Sequence, residues 1–331
     1  MTRRSLVSTL SWFAAARSLG AQTPTFSAGV NVVNIYATVR DRKGQIVKSL
    51  TRDDFLLEED GRPQQIRYFS QESNLPLTIG LLIDTSGSTR NVLPQERSAS
   101  FQFLRQVMRQ DKDAAFVIQF EFDATLLQDL TKSHRLLERA LDEVAPAGLQ
   151  RRPNGPWTYP GGRGGRGGMG RRNGGGGTVL YDAVFLAADE LMRKQTGRKA
   201  LIVLSDGLDN GSRYTLFQAE ESAQRADALV YSILFEDPDM DPGMFGGRRR
   251  GPDGRDVLQQ ISRDTGGRFF EVQRRMPIDR VFVAIEEDLR NQYSLGYSPD
   301  APDTQGRYRK IRLTTKQRGL IVNTREGYYA S

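Results

Sequence analysis

Three oxygen-bearing side chains stand two residues apart in Leu81-Leu82-Ile83-Asp84-Thr85-Ser86-Gly87-Ser88: Asp84, Ser86 and Ser88. They follow an apolar run of strand length, so this D-x-S-x-S pattern falls on a tight turn at the carboxyl end of a buried strand. Ligands of open α/β sheets bind at such ends. One carboxylate and two hydroxyls form an oxygen-only donor set, which suits a hard cation such as Mg2+ or Ca2+ and not zinc. Two later segments carry matching donors: Gly177-Thr178-Val179-Leu180-Tyr181-Asp182 and Val203-Leu204-Ser205-Asp206-Gly207.

Each piece alone has a plainer reading. Asp, Ser and Thr are good helix N-caps, because their side chains accept from free backbone N–H groups. The order of the pieces favours a metal site. One strand ends in Asp84, Thr178 opens a helix, and a second strand ends in Ser205-Asp206-Gly207. Asp182 reads as structural, an acid in the first turn of its helix where the dipole favours it. Asp209 could face the metal, but Asp-Asn is common turn chemistry and a loop-stabilising role fits better.

The three segments, in this order, resemble the metal-ion-dependent adhesion site of von Willebrand factor type A (VWFA) domains, with Asp84, Ser86, Ser88, Thr178 and Asp206 at the matching positions. The resemblance implies that both serines and the threonine lie nearest the metal, with the aspartates acting partly through water. It implies Mg2+ first, with Ca2+ or Mn2+ as alternatives. A carboxylate from a protein partner would fill the open coordination position.

The elements that must position these residues follow from hydrophobic period. Leu77–Ile83, Ala115–Phe120, Ala200–Ser205 and Ala228–Phe235 are near-continuous apolar runs, which fit strands buried on both faces of a mainly parallel sheet. Ala124–Leu130 is polar enough for an edge strand. Amphipathic segments lie between them. Phe101, Leu104 and Met108 share one helical face, and Leu180, Val184, Ala187 and Leu191 share another. Residues 132–144, 214–226, 254–264 and 276–289 are further helices by period. This alternation predicts a doubly wound α/β domain over residues 76–290.

Residues 28–74 read as short strands. Val33, Ile35, Ala37 and Val39 alternate with polar neighbours, and Asp41-Arg42-Lys43-Gly44 and Asp60-Gly61 are turns. Strand character returns over 291–331, around Tyr293–Tyr297, Tyr308–Thr314 and Leu320–Thr324. Neither segment suffices for a stable domain, so the two are expected to form one discontinuous β-sandwich. The order of the pieces resembles the bacterial VWFA-related family first described from acidobacteria. The resembling residues are Val39-Arg40-Asp41-Arg42-Lys43-Gly44, Asp54-Phe55, Glu59-Asp60-Gly61-Arg62-Pro63-Gln64, Leu295-Gly296-Tyr297 and Gly327-Tyr328-Tyr329.

Composition narrows the function. The chain has 331 residues, no cysteine and a single histidine. Disulfides, zinc–thiolate sites, cysteine nucleophiles and a lipoprotein anchor are excluded, as are most hydrolytic triads. His134 reads as a solvated surface residue. No stretch is long and apolar enough for a membrane span. Residues 1–21 have the pattern of a signal peptide: Arg3 and Arg4, an apolar stretch from Leu6 to Ala16, and Leu19-Gly20-Ala21 as a small-residue cleavage site. Export to the periplasm or outside the cell is the expectation.

The net charge of +7 is concentrated: Arg3, Arg4 and Arg17 supply +3, six arginines in residues 148–177 supply +6, and the remainder is −2. Such a body offers no basic face for specific nucleic-acid binding. Residues 148–177 and 237–256 are inserts rich in Gly and Arg, too poor in apolar surface to order on that basis. The first ends at Thr178, beside the metal motif, and could contact acidic polymers. Its Trp157 and Tyr159 read equally as interface anchors and as aromatics docked on their own domain. No Lys-Ser or Lys-Thr follows Gly174–Gly177, which argues against a phosphate loop.

These readings converge on an exported, non-enzymatic binding protein of the adhesion type. A divalent-metal hydrolase using the same aspartates is the alternative, disfavoured because no base or nucleophile clusters with Asp84 and Asp206. A scaffold subunit of an envelope complex with a vestigial metal site is another.

Overall fold

The computed structural model describes residues 32–71, 75–87, 89, 91–146, 157–160, 177–235, 253–300 and 306–330, with the backbone alone for 157–160. The segment read as a signal peptide, Ser88, and most of both inserts lie outside the described residues.

The first strands are β1 (Val33–Arg40), β2 (Phe55–Glu59), β3 (Arg62–Gln64) and β4 (Tyr68–Ser70). The chain then alternates: β5 (Leu77–Asp84), α1 (Leu93–Val107), β6 (Ala114–Phe120), β7 (Asp123–Thr131), α2 (His134–Glu143), β8 (Trp157–Pro160), α3 (Leu180–Leu186), β9 (Arg198–Ser205), α4 (Leu216–Arg225), β10 (Ala228–Leu234), α5 (Gly254–Thr265), β11 (Phe269–Glu271) and α6 (Ile278–Arg290). It ends on β12 (Tyr293–Tyr297), β13 (Tyr308–Thr315), β14 (Ile321–Asn323) and β15 (Gly327–Tyr329).

Seven strands form the central sheet in the order β11-β10-β9-β5-β6-β7-β8. The strands from β11 to β6 are parallel, and β7 and β8 are antiparallel to their neighbours. Every residue of β5 is buried, as suits a strand covered on both faces. Residues of α1, α2 and α6 pack with Ile79, Leu81 and Ile83 on one face, and residues of α3, α4 and α5 pack with Leu82, Phe116 and Val203 on the other. This is the doubly wound mainly parallel sheet that the alternating pattern predicts. Two details differ. The edge next to β7 is taken by β8, so Asp123–Thr131 is an interior strand despite its polar side chains. β8 lies within the 148–177 segment, whose composition argued against order, and its backbone pairs Trp157 with Leu126 of β7.

Two four-stranded antiparallel sheets, β14-β1-β12-β4 and β15-β13-β2-β3, make up the rest. The alternating residues Val33, Ile35, Ala37 and Val39 of β1 face a shared core with Phe55, Leu57, Leu295, Ile311 and Leu313. This is the discontinuous sandwich from the two terminal segments. A polar knot sits inside it. The buried Glu59 carboxylate accepts from Arg309 Nη1 at 2.6 Å and from Tyr328 OH at 3.0 Å, and Tyr297 OH also donates to it. The sandwich is tied to the α/β domain by buried Asp288, which takes Arg40 from β1 and Arg268, each at 2.8 Å.

Candidate metal centre

The candidate site lies where the winding of the sheet reverses. β5 and β9 are adjacent, yet α1, after β5, packs on one face and α4, after β9, on the other. The crevice outside the carboxyl ends of two such strands is the favoured ligand site of this architecture. Asp84 is the last residue of β5, and Asp206 follows the last residue of β9.

Backbone bonds lace three loops together there. Thr85 N donates to Phe120 O at 2.9 Å, joining the Asp84 loop to the end of β6. Val179 N donates to Glu121 O at 3.0 Å, joining the Thr178 segment to the same end. Asn210 N and Gly211 N both donate to Thr178 O at 3.1 Å, which ties that segment to the loop of Asp206. The approach is tight: a Cβ on Gly177 would lie 2.4 Å from Asn210 Cβ, and one on Gly211 would lie 2.3 Å from Gly177 O. Only glycine fits at both positions.

The residues picked from sequence are not helix caps. α1 begins at Leu93 with Val92 as its N-cap, so Asp84 and Ser86 are free of that role. Thr178 does not open α3 either. Val179 is its N-cap and makes no side-chain capping bond. Asp84 is fully buried: its Oδ1 accepts from Ser86 N at 2.9 Å, and its Oδ2 accepts from Ser205 Oγ at 2.6 Å. Burial, then the charge of Asp206, pushes the Asp84 carboxyl up to about 7. Ser86 and Thr178 are nearly buried, and Asp206 is half-buried with its Oδ1 accepting from Leu208 N at 2.9 Å. Gly87 is exposed and a Cβ there would meet nothing, so the rim opens to solvent.

Asp209 and Asp182 hold the loops. Asp209 Oδ2 accepts from Tyr181 N at 3.0 Å and its carboxylate also takes the Ser212 hydroxyl, while Asp182 Oδ1 accepts from Arg213 N at 2.7 Å and Tyr214 N at 3.0 Å. His134 is half-buried rather than fully solvated. Its Nδ1 lies 3.0 Å from Gln110 Nε2, in a side-chain hydrogen bond.

Several contributors escaped the sequence reading. Ser205 positions Asp84 and itself accepts from Gly207 N at 3.0 Å. Thr89 Oγ1 donates to Asp84 O at 2.9 Å and Ser86 O at 3.1 Å, closing the motif turn from beneath. Gly207 has φ +78°, and a Cβ on it would lie 2.1 Å from Gly254 O, so α5 begins hard against the Asp206 loop. Glu96 is buried on α1 under the charge of Asp84. Its signal was in the sequence: at i+3 from Leu93 and i−7 from Phe103, it falls on the apolar face of the helix.

Among the described residues no three His, Asp, Glu or Cys side chains are grouped closely enough to hold a metal by themselves. The donor set here is instead two aspartates with hydroxyls. It fits a hard cation on two counts. All its donors are oxygens, and the buried Asp84 carboxyl is opposed both by its burial and by the charge of Asp206, which a cation between them would relieve.

The sheet order, the two helix layers and this loop cluster define a doubly wound, mainly parallel α/β fold with its candidate site at the switch point. No protein-family model matches the chain, and no curated protein sequence matches it. Solved structures are similar to it at low identity. An aerotolerance-related membrane protein from Bacteroides fragilis is 16% identical, with 64% of this chain and 98% of that one covered and a TM-score of 0.46. BatB from Bacteroides thetaiotaomicron is 16% identical over 64% of this chain and 97% of that one, with a TM-score of 0.47. Proximal thread matrix protein 1 from the mussel byssus, solved with zinc in its MIDAS motif, is 14% identical over 70% of this chain and 49% of that one, with a TM-score of 0.45. Among the described residues no helix is long and apolar enough to cross a membrane.

Proposed function

We propose that this chain is an exported, non-enzymatic binding protein that recognises a protein partner through a divalent cation. Asp84, Ser86, Ser88, Thr178 and Asp206 would hold the ion, Mg2+ ahead of Ca2+ or Mn2+. The bound cation would supply a Lewis-acidic position for an Asp or Glu of the partner. The order of its motifs further suggests the bacterial VWFA-related family.

One observation carries the reading: buried Asp84 and half-buried Asp206 meet at the switch point of the sheet, with their loops fixed by backbone bonds and an open rim above them. The chain's residues have separate tasks there. Ser205 and the Ser86 amide fix the Asp84 carboxylate, Thr89 braces the turn, and Asp209 holds the Thr178 segment against the Asp206 loop. The six arginines of residues 148–177 would favour approach of an acidic partner.

The test is thermal unfolding in chelator against millimolar Mg2+, Mn2+ or Ca2+, followed by capture of partners from envelope extract with and without chelator. A raised melting temperature and chelator-sensitive capture are expected. Identical melting curves in chelator and in all three metals would overturn the reading.

A further inference from the structure

Two loops of the candidate metal centre are bonded to the end of β6 and the residue after it. Thr85 N, beside Asp84 and Ser86, donates to Phe120 O at 2.9 Å. Val179 N, beside Thr178, donates to Glu121 O at 3.0 Å. The next residue is Phe122, in the turn that leads into β7, where Glu121 N donates to Asp123 O at 3.2 Å. Phe122 is therefore one residue beyond the anchor of the Thr178 segment and two beyond that of the Asp84 loop. It is 39% exposed. Phe120, two residues earlier, is fully buried in the core with Leu82 and Val179. Among the described residues, Phe122 joins none of the three hydrophobic cores.

Turn chemistry does not call for this side chain. Tight turns favour Gly, Pro, Asn, Asp and Ser, for their backbone freedom or their own hydrogen bonds. Packing does not call for it either, because the ring is outside the cores. A single exposed apolar side chain is ordinary on a protein surface, so its place is what distinguishes it. Tyr68 and Ile321 are also exposed, but they lie on strands of the sandwich. Phe122 stands in a turn whose backbone is bonded to both site loops, on the side where exposed Gly87 opens the rim. A cation offers a partner attraction and direction but little apolar area. Aromatic side chains supply that area at protein interfaces and carry much of the binding energy there.

We propose that Phe122 is the apolar half of the recognition surface. The partner presents a carboxylate to the cation and, a short distance along the same segment, an apolar side chain to Phe122. This rests on the cation-bridged reading and deepens it by naming the partner's chemistry. Glu121 and Asp123 flank Phe122 in the chain, so an apolar group suits that position and a second acid does not. The partner is then a protein segment that pairs one acid with one apolar residue, and not a polyacidic tract.

The test pans a display library of short peptides on the full chain, each with a fixed central Asp and random flanks, in millimolar Mn2+ and in chelator. Peptides retained only in Mn2+ should carry an apolar residue at a fixed offset from the Asp. Phe122→Ser should bind such a peptide about tenfold or more weakly, while its calorimetric Kd for Mn2+ stays that of wild type. Phe122→Asn, a residue at home in tight turns, should do the same and covers failure of the serine variant to fold. Ile321→Ser removes an exposed apolar side chain from the sandwich and should bind the peptide like wild type. Mn2+-dependent peptides without an apolar preference would overturn the inference and leave the cation reading standing. So would equal binding by wild type and a folded Phe122 variant, or an equal loss in Ile321→Ser. A fall in Mn2+ affinity in the Phe122 variants, or failure of both to fold, would also overturn it, since Phe122 would then act through the fold. Wild type that binds Mn2+ but retains no peptide through it would overturn recognition through the cation, and this inference with it. Wild type that binds no Mn2+ would overturn the cation site itself.

Discussion

Ser205 Oγ donates to Asp84 Oδ2 at 2.6 Å, so the last residue of β9 fixes the last side chain of β5. The two strands run parallel and adjacent, and this bond joins them at the mouth of the crevice. The Ser205 hydroxyl in turn accepts from Gly207 N. One serine therefore sets both the Asp84 carboxylate and the turn that presents Asp206. Ser205→Ala should cost about 1.5–3 kcal/mol, the worth of a hydrogen bond to a charged group. It should also weaken Mn2+ binding. Denaturant unfolding in chelator and a Mn2+ titration check the two effects. A variant with wild-type stability and wild-type affinity would remove Ser205 from the site.

Asp84 makes stability depend on pH with a definite sign. Its carboxyl is raised from 3.8 to about 7 in the folded protein, by burial and then by Asp206. The fold thus retains a proton that the unfolded chain gives up near 3.8. This contribution is fully present below about pH 4 and is lost as pH rises through about 7. A cation bound only by the native state offsets the loss. The rise in melting temperature on adding Mg2+ should therefore be larger near pH 8 than near pH 5. Asp84→Asn should flatten the profile in chelator between those limits. A Mg2+ effect of the same size at both pH values would contradict the assignment.

Gly207 links the site to α5. Its positive φ disfavours any L side chain, and the close approach of Gly254 O leaves no room for one. Gly207→Ala should destabilise by more than about 1 kcal/mol, because strain and steric conflict act together. The Asp206 turn must shift to relieve it, so Mn2+ affinity should fall as well. Gly44→Ala is the comparison: its φ is also positive, at +79°, but a Cβ there meets nothing within 4 Å. Its effect should be confined to stability, and a matching loss of affinity would show that Gly207 acts only through the fold.

The doubly wound sheet was legible in the sequence because β5, β6, β9 and β10 are apolar along nearly their whole length. The sandwich was legible because Val33 to Val39 alternate. What escaped has physical causes. β11 and β15 have three residues each, too few for a period to show. β7 has the polar side chains of an edge strand, and its pairing with β8 depends on a segment whose composition argues against order. Asp84, Ser86 and Asp206 stood out by residue type and position. Ser205 and Thr89 did not, because a hydroxyl facing a buried carboxylate is indistinguishable in sequence from any other serine or threonine. Glu96 differed from its apolar neighbours on α1, but its relation to Asp84 required the fold.

Loss of residues 291–331 should unmake the sandwich from its middle. β12 lies between β1 and β4, and β13 lies between β15 and β2, so each sheet would lose an interior strand. β1 would be left with the unpaired backbone groups that had met Tyr293 to Tyr297. β2 would lose its partners from Ile311 to Thr315. Glu59 would lose Arg309, Tyr297 and Tyr328 together, leaving a carboxylate without its countercharge. Breaking a buried pair by removing one partner costs about 3–5 kcal/mol before any strand pairing is counted. A chain ending at residue 290 should therefore be cleaved within residues 33–70 under limited proteolysis that spares the full-length protein. Exposed edges should also promote association between copies. The single change Arg309→Met tests the polar knot alone and should reproduce part of the effect without deleting a strand. If residues 33–70 stay protected in the truncated chain, the terminal strands are not what holds the first four in place.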